Sequence, residues 1–234
     1  MRTLAVILAR TGSKRIKNKL FLKINKKLIL DIFLKRLQQV KYIDEIIIAT
    51  SYCKRDNNIV RFALQNNLSY FRGPEKNVLK RFFLSTFKSK KKPELIVRAN
   101  ADCALMMPTI VDKDIKSMKN KKYDLLTPFN RNFCPFGYSF VIFKPKALEK
   151  IYKRAKKRSH LEHIENYCFD NEKNFKILRP KYDMQLFYPK LKLTLDEKKD
   201  YKKIKFFYNM IKKVPIKNQP KKLISLAKSS KFYV

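Results

Sequence analysis

Leu4 to Leu20 reads LAVILARTGSKRIKNKL, and this stretch decides how the rest of the chain is read. Leu4-Ala5-Val6-Ile7-Leu8-Ala9 is an unbroken apolar run, rich in β-branched residues and closed by a polar loop. Such a run predicts a strand buried on both faces. Arg10, Gly12, Ser13, Lys14, Arg15, Lys17 and Lys19 follow within ten residues. Glycine lets backbone N–H groups approach an anion closely, and the chain has only three glycines. Arginine grips phosphate oxygens in pairs, while lysine acts as a point charge. Ligands of α/β proteins sit at the carboxyl ends of the strands. A buried strand that runs into a Gly/Ser loop full of cations therefore predicts a polyphosphate site. A solvated loop would account for the lysines alone. It would not account for Arg10, Gly12, Ser13 and Arg15 falling directly behind the first strand.

Downstream of the loop, strand and helix alternate. Leu28 to Leu37 has helical apolar spacing, Glu45 to Ser51 is a second buried strand, and Asp56 to Asn66 is a second helix. Leu68 to Phe71 is a third strand, expected to break at Arg72-Gly73-Pro74. Val78 to Phe87 is a helix and Glu94 to Arg98 a fourth strand. Four alternations at βαβ spacing predict an α/β fold with a mostly parallel central sheet. Beyond Pro108 the pattern is less regular. Helices are expected from Pro108 to Met118, Pro145 to Lys157, Leu161 to Phe169, Glu197 to Ile211 and Lys221 to Lys228. Strands are expected at Asp124 to Pro128, Tyr138 to Phe143, Phe175 to Leu178 and Leu191 to Leu195. The whole of residues 1–234 is read as one domain, with a basic helical tail from about 212. From Lys190 onward there are 14 Lys against Asp196, Glu197 and Asp200. That tail could meet a membrane surface or RNA, but a solvated helix face is the plainer reading.

The bulk numbers exclude several classes. No apolar run reaches the roughly 18 residues needed to cross a bilayer. Residues 1–9 continue into the α/β pattern without a small-residue cleavage site, which argues against a signal peptide. Cys53, Cys103, Cys134 and Cys168 lie far apart, and only His160 and His163 are present. A zinc site is not indicated, and reduced thiols in a cytoplasmic protein are expected. The formal charge of +37 invites nucleic-acid binding. It is equally what a Lys-, Asn-, Ile- and Phe-rich, Gly-poor composition produces, and such a field draws in any anionic ligand.

Phosphoryl-type transfer needs charge neutralisation, commonly by Mg²⁺ on carboxylates and substrate oxygens. Two acids lie at strand ends. Asp102 follows ELIVRANA, where it could equally pair with Arg98 or cap a helix. Asp196 ends LKLTL, where its plain role would be the N-cap of the next helix.

The loop Ala9-Arg10-x-Gly12-Ser13-Lys14-Arg15-Ile16-x-x-Lys19 resembles the signature of the CMP-sugar cytidylyltransferases. That family includes the acylneuraminate and deoxy-octulosonate enzymes and a spore-coat polysaccharide branch. FRGPEKNVLKRF, from Phe71 to Phe82, resembles the family's F-R-G-x-x-x-D-V-L-x-R-Y block, with Asn77 in the Asp position. Arg98 to Leu105 resembles R-x-x-G-D-C-P-L, with Ala101 for Gly and Ala104 for Pro; Met107, just beyond, replaces a frequent Asp. Asp196 and Asp200 match the two acids of a T-V-D-T-P-E-D-L-like segment, and Glu162-His163-Ile164 an E-H-[VI] element.

The resemblance spans Leu4 to about Val214. It implies a Rossmann-like, glycosyltransferase-A-like three-layer nucleotidyltransferase fold. It also implies transfer of CMP from CTP to a nonulosonate- or octulosonate-type sugar acid, with Mg²⁺ as cofactor and a homodimer as a possible assembly. Arg10, Lys19 and Asp102 would be catalytic. Ala9, Arg10, Gly12, Ser13, Lys14, Arg15, Lys19, Arg72, Gly73, Arg98 and Asn100 would bind the nucleotide. Asp102 and Asp196 would hold the metal, and Ser139, Glu162 and His163 would face the acceptor. Asn100 could otherwise be a plain turn residue and His163 a structural hydrogen-bonder. Ser139 and Val141 replace acids of the family pattern. The rival reading is a basic nucleic-acid-binding module that kept the fold without the chemistry.

Overall fold

A computed structural model describes residues 1–13, 15–119, 122–128, 135–188 and 191–230. The strands are β1 (Thr3–Leu8), β2 (Lys23–Ile24), β3 (Lys27–Leu28), β4 (Glu45–Ser51), β5 (Ser69–Gly73), β6 (Leu95–Asn100), β7 (Leu125–Leu126), β8 (Val141–Phe143) and β9 (Ile177–Leu178). The helices are α1 (Ile29–Leu37), α2 (Asn57–Gln65), α3 (Val78–Ser85), α4 (Pro108–Met118), α5 (Pro145–Arg154), α6 (Arg158–Glu162), α7 (Glu165–Asp170), α8 (Lys198–Ile211) and α9 (Gln219–Ser229).

Seven strands form one sheet in the order β5-β4-β1-β6-β8-β7-β9. The first four are mutually parallel, and β8 runs antiparallel to β6 and to β7. The continuous apolar reading of β1 explains its central place. Ala5 and Ile7 face one core with α1, α2 and α4, while Leu4 and Val6 face another with α3, α5 and α7. Both alternating sets are buried, so the sheet is the middle of three layers. The expected Rossmann-like arrangement is borne out.

Three expectations are corrected. Strand β5 does not break at Arg72; it pairs with β4 through Thr50↔Arg72 and Ser51↔Gly73. Leu191 to Leu195 is no ladder strand: a single bridge joins Lys192 to Phe136. Its alternating leucines serve a third apolar cluster instead, with Ile24, Ile29, Ile204 and Phe207. The stretch Leu161 to Phe169 is two short helices, not one. A hairpin at β2–β3 was not foreseen, because its two-residue turn is Asn25-Lys26 rather than Asn-Gly. Both residues hold positive φ, +49° and +65°, as a type I′ turn needs.

The basic C-terminal segment is packed rather than pendant. Leu223, Ile224 and Ala227 of α9 are buried in the third cluster. The buried Arg36 of α1 donates to Gln219 Oε1 at 2.8 Å and to Met106 O at 2.8 Å, pinning α9 to the fold. Among the described residues no helix is long and apolar enough to cross a membrane. Cys53, Cys103 and Cys168 are free thiols, and Cys134 lies outside the described residues.

Candidate active site

Crossovers diverge at β1. The chain moves outward through β4 and β5, then returns to the far side of β1 as β6. Such a switch opens a crevice at the strands' carboxyl ends, and the loop from Ala9 to Lys19 lies there. Ala9 is buried, and its N–H donates to Ala49 O at 3.2 Å. Opposite, Ala101 N–H donates to Leu8 O at 3.2 Å and brings Asp102 beside the loop.

The centre of the site is Lys19, in a 3₁₀ turn after Asn18. Its ammonium donates to Asp102 Oδ2 at 2.7 Å, to Leu195 O at 2.7 Å and to Asp196 Oδ1 at 3.4 Å. Leu195 N–H in turn donates to Asp102 O at 3.0 Å. Residues 83 and 177 positions from Lys19 thus converge on one cation. Arg15 Nη2 reaches Asp196 Oδ1 at 3.3 Å, and Lys192 Nζ reaches its other oxygen at 2.7 Å. Burial alone would raise the Asp196 pKa. Hydrogen bonds from Lys192 and Thr194 and the Lys19 charge outweigh it and bring the value down to about 2.

The two plainer roles that the sequence leaves open for these acids are not found. Asp102 does not pair with Arg98; its partner is Lys19. Arg98 is buried and donates to Glu165 Oε2 at 2.7 Å and to Glu162 O at 3.3 Å. Asp196 is not the N-cap of α8. Glu197 is, with Asp200 completing a capping box by accepting from Asp196 N and Glu197 N.

The remaining loop cations are spread around this centre. Arg10 is part-exposed between Glu75 and Glu162, 3.8 Å from each. Ser13 Oγ accepts from Ile16 N at 3.3 Å, and Lys14 lies outside the described residues. Arg72 is turned to the β4–α2 connection: it donates to Ser51 O, Cys53 O and Asn57 Oδ1. Gly73 is buried against Arg81. Asn77, in the place of the family Asp, caps α3 by accepting from Lys80 N at 2.8 Å.

Asn100, Arg98 and Cys103 border a small cavity with Phe136, Gly137 and Ser139. The Ser139 hydroxyl is already engaged, donating to the buried Asp114 carboxylate at 2.5 Å. Glu162 is exposed and within reach of Arg10, and His163 is exposed in the turn between α6 and α7.

Sequence reasoning missed Asp56. It is fully buried and accepts from Thr11 N at 2.7 Å, Thr11 Oγ1 at 2.6 Å and Ser51 Oγ. Burial would raise its pKa, but the Ser51 and Thr11 bonds more than offset this, and the net shift is down. This carboxylate ties the Ala9–Lys19 loop to the end of β4. Its position just before α2 was the only signal available.

Among the described residues no group of three or more His, Cys, Asp or Glu forms a metal cage. Asp102 and Asp196 nonetheless share one cation and supply hard oxygens. That donor set suits Mg²⁺, which takes one or two carboxylates together with substrate phosphates and waters.

A family model described as cytidylyltransferase matches residues 4–225. The chain belongs to the cytidylyltransferase family. The chain is 37% identical over 203 residues to an uncharacterised protein of Methanocaldococcus jannaschii, covering 86% of this chain and 81% of that one. It is 26% identical over 210 residues to the spore coat polysaccharide biosynthesis protein SpsF of Bacillus subtilis, covering 88% and 85%. Among solved structures, a cytidylyltransferase from Leptospira borgpetersenii matches with a TM-score of 0.88 at 25% identity, covering 98% of this chain and 94% of that one. A CMP:2-keto-3-deoxy-manno-octonic acid synthetase complexed with CTP shares the fold, with a TM-score of 0.66 at 13% identity and coverage of 90% and 99%.

Proposed function

We propose that this protein transfers CMP from CTP to a sugar acid of the nonulosonate or octulosonate type, for surface polysaccharide synthesis. The observation that carries this reading is the convergence of Asp102, Asp196 and Lys19 beneath the Arg10–Lys19 loop. An acceptor hydroxyl oxygen attacks the α-phosphorus of CTP. The bond from that phosphorus to the β-phosphate oxygen breaks, pyrophosphate leaves, and the hydroxyl proton passes to solvent.

Arg10, Ser13, Lys14, Arg15 and Lys19 hold the phosphates. Asp102 and Asp196 would hold Mg²⁺, whose charge would offset that of the reacting phosphates. Lys19 pairs with both carboxylates and adds positive charge where the leaving pyrophosphate forms. Backbone groups near Ala9 and Gly73, with Asn100 on the opposite wall, face the base. Asn100 offers both a donor and an acceptor, which a 4-amino pyrimidine requires. SpsF supports the polysaccharide setting by its name, and the CTP-bound synthetase supports the nucleotide and the acid.

The test is pyrophosphate release from CTP, UTP, ATP and GTP with a panel of sugar acids, with and without Mg²⁺. CTP should be preferred strongly, because a site built on paired polar groups rejects a base that leaves them unpaired. Equal use of UTP or of a purine nucleotide overturns the cytidylyl assignment. Salt-sensitive nucleic-acid binding with no nucleotide turnover would favour a basic binding module instead.

A further inference from the structure

Gly12 is covered by an ion pair that the reading above leaves without a role. Arg55, in the turn after β4, and Glu75, before α3, meet through Nη2 and Oε1. A Cβ built on Gly12 would lie 2.6 Å from Glu75 Oε1 and 2.7 Å from Arg55 Nη2. The pair therefore fills the place of the missing side chain, on the loop itself. The same carboxylate stands 3.8 Å from Arg10 Nη1 and accepts from Cys53 Sγ at 3.3 Å.

This bridge is built unlike its neighbour Arg98–Glu165. The latter is nearly closed to solvent, with side chains 7% and 8% exposed, whereas Arg55 and Glu75 are 50% and 25% exposed. Nor does the loop depend on it for its shape. Asp56 already holds Thr11 through the backbone and the hydroxyl, and Thr11 Oγ1 also lies 3.3 Å from Arg55 O. The base of Arg55 is thus fixed beside the loop while its guanidinium stays at the surface.

We propose that Arg55 is a further phosphate-binding residue, held on Glu75 in the ligand-free protein and passed to the nucleotide's anionic oxygens on binding. Glu75 then acts as a resident counter-anion that competes with the ligand for Arg55 and Arg10. The inference rests on the reading of the Arg10–Lys19 loop as the phosphate site. A guanidinium suits the exchange, because the same planar fork serves a carboxylate and a phosphate. A group that stabilises the ligand-free state more than the bound state lowers apparent affinity by that difference.

The two halves of the bridge should respond with opposite signs. Calorimetry on the full chain would compare pyrophosphate and CTP binding to wild type, Arg55→Gln and Glu75→Gln. Arg55→Gln should weaken binding about fivefold and Glu75→Gln should tighten it about fivefold, the scale of a part-exposed charge pair. Both effects should shrink as salt is raised. A bridge that only shapes the loop would give weaker binding in both variants. That result, or an unchanged Arg55→Gln, overturns the proposal while leaving the phosphate site standing. No binding of either anion by wild type overturns both.

Discussion

Replacing Asp114 by Asn should remove a pH dependence of stability between pH 5 and pH 8. Asp114 lies in α4 with no solvent exposure. Its Oδ2 accepts from the Ser139 and Tyr182 hydroxyls at 2.5 and 2.8 Å, while Oδ1 is buried without a hydrogen-bond partner among the described residues. Burial pushes its pKa up from 3.8 to about 7, against the two hydroxyl bonds and the charge of Lys113. The folded-state value stands above the unfolded one. The stabilisation is therefore complete below about pH 4 and is lost as the pH rises through 7. At 1.36 kcal/mol per pKa unit the whole span is worth about 4 kcal/mol, of which about 2 to 3 kcal/mol falls between pH 5 and 8. Asparagine has nearly the same shape and stays neutral throughout. Urea denaturation of both proteins at pH 5, 6, 7 and 8 gives the difference directly. The stability of Asp114→Asn relative to wild type should rise by about 2 to 3 kcal/mol across that interval. Groups common to both proteins cancel. Parallel stability curves would refute the reasoning, because they would mean that Asp114 does not change its protonation there.

Two further outcomes are expected. Asp102→Asn should lower kcat at least about a hundredfold with the fold kept, since it removes one electrostatic stabiliser; an unchanged kcat would reduce Asp102 to a partner of Lys19. Ending the chain after Val214 should cost about 3–6 kcal/mol, because Leu223 and Ile224, with the smaller Ala227, leave the core at roughly 1.5–3 kcal/mol for each large side chain; an unchanged melting temperature would contradict the packed role of α9.

The sheet was legible where strands are long and buried on both faces. The limits of β4 follow from Glu45-Ile46-Ile47-Ile48-Ala49-Thr50-Ser51 alone, and Pro108 marks the first residue of α4. The second half was harder because β7 and β9 are two residues each, too short for a period. Leu191, Leu193 and Leu195 alternate as a strand would, but they do so to fill a helix-lined core. In the site, Lys19, Asp102 and Asp196 could be picked out singly as cation and acids beside strand ends. Their convergence could not, since it depends on three separate loops meeting in space. Asp56, Arg55 and Glu75 escaped for the same reason. Each is an ordinary polar residue until its partner, 20 or more positions away, is in place.

The cluster that joins Ile16, Ile24 and Ile29 to Leu223, Ile224 and Ala227 has a consequence for how the molecule forms. Its two halves are made far apart in time. At roughly 5–20 residues per second, synthesis takes on the order of 10–40 s to travel from Ile24 to Ile224. During that interval β1, β4 and β6 can pair, while the outer face of α1 waits for its cover. The wall behind the Ala9–Lys19 loop is thus among the last parts of the fold to close. Contacts of such long sequence separation slow folding, and an apolar face left waiting is where a growing chain meets its neighbours.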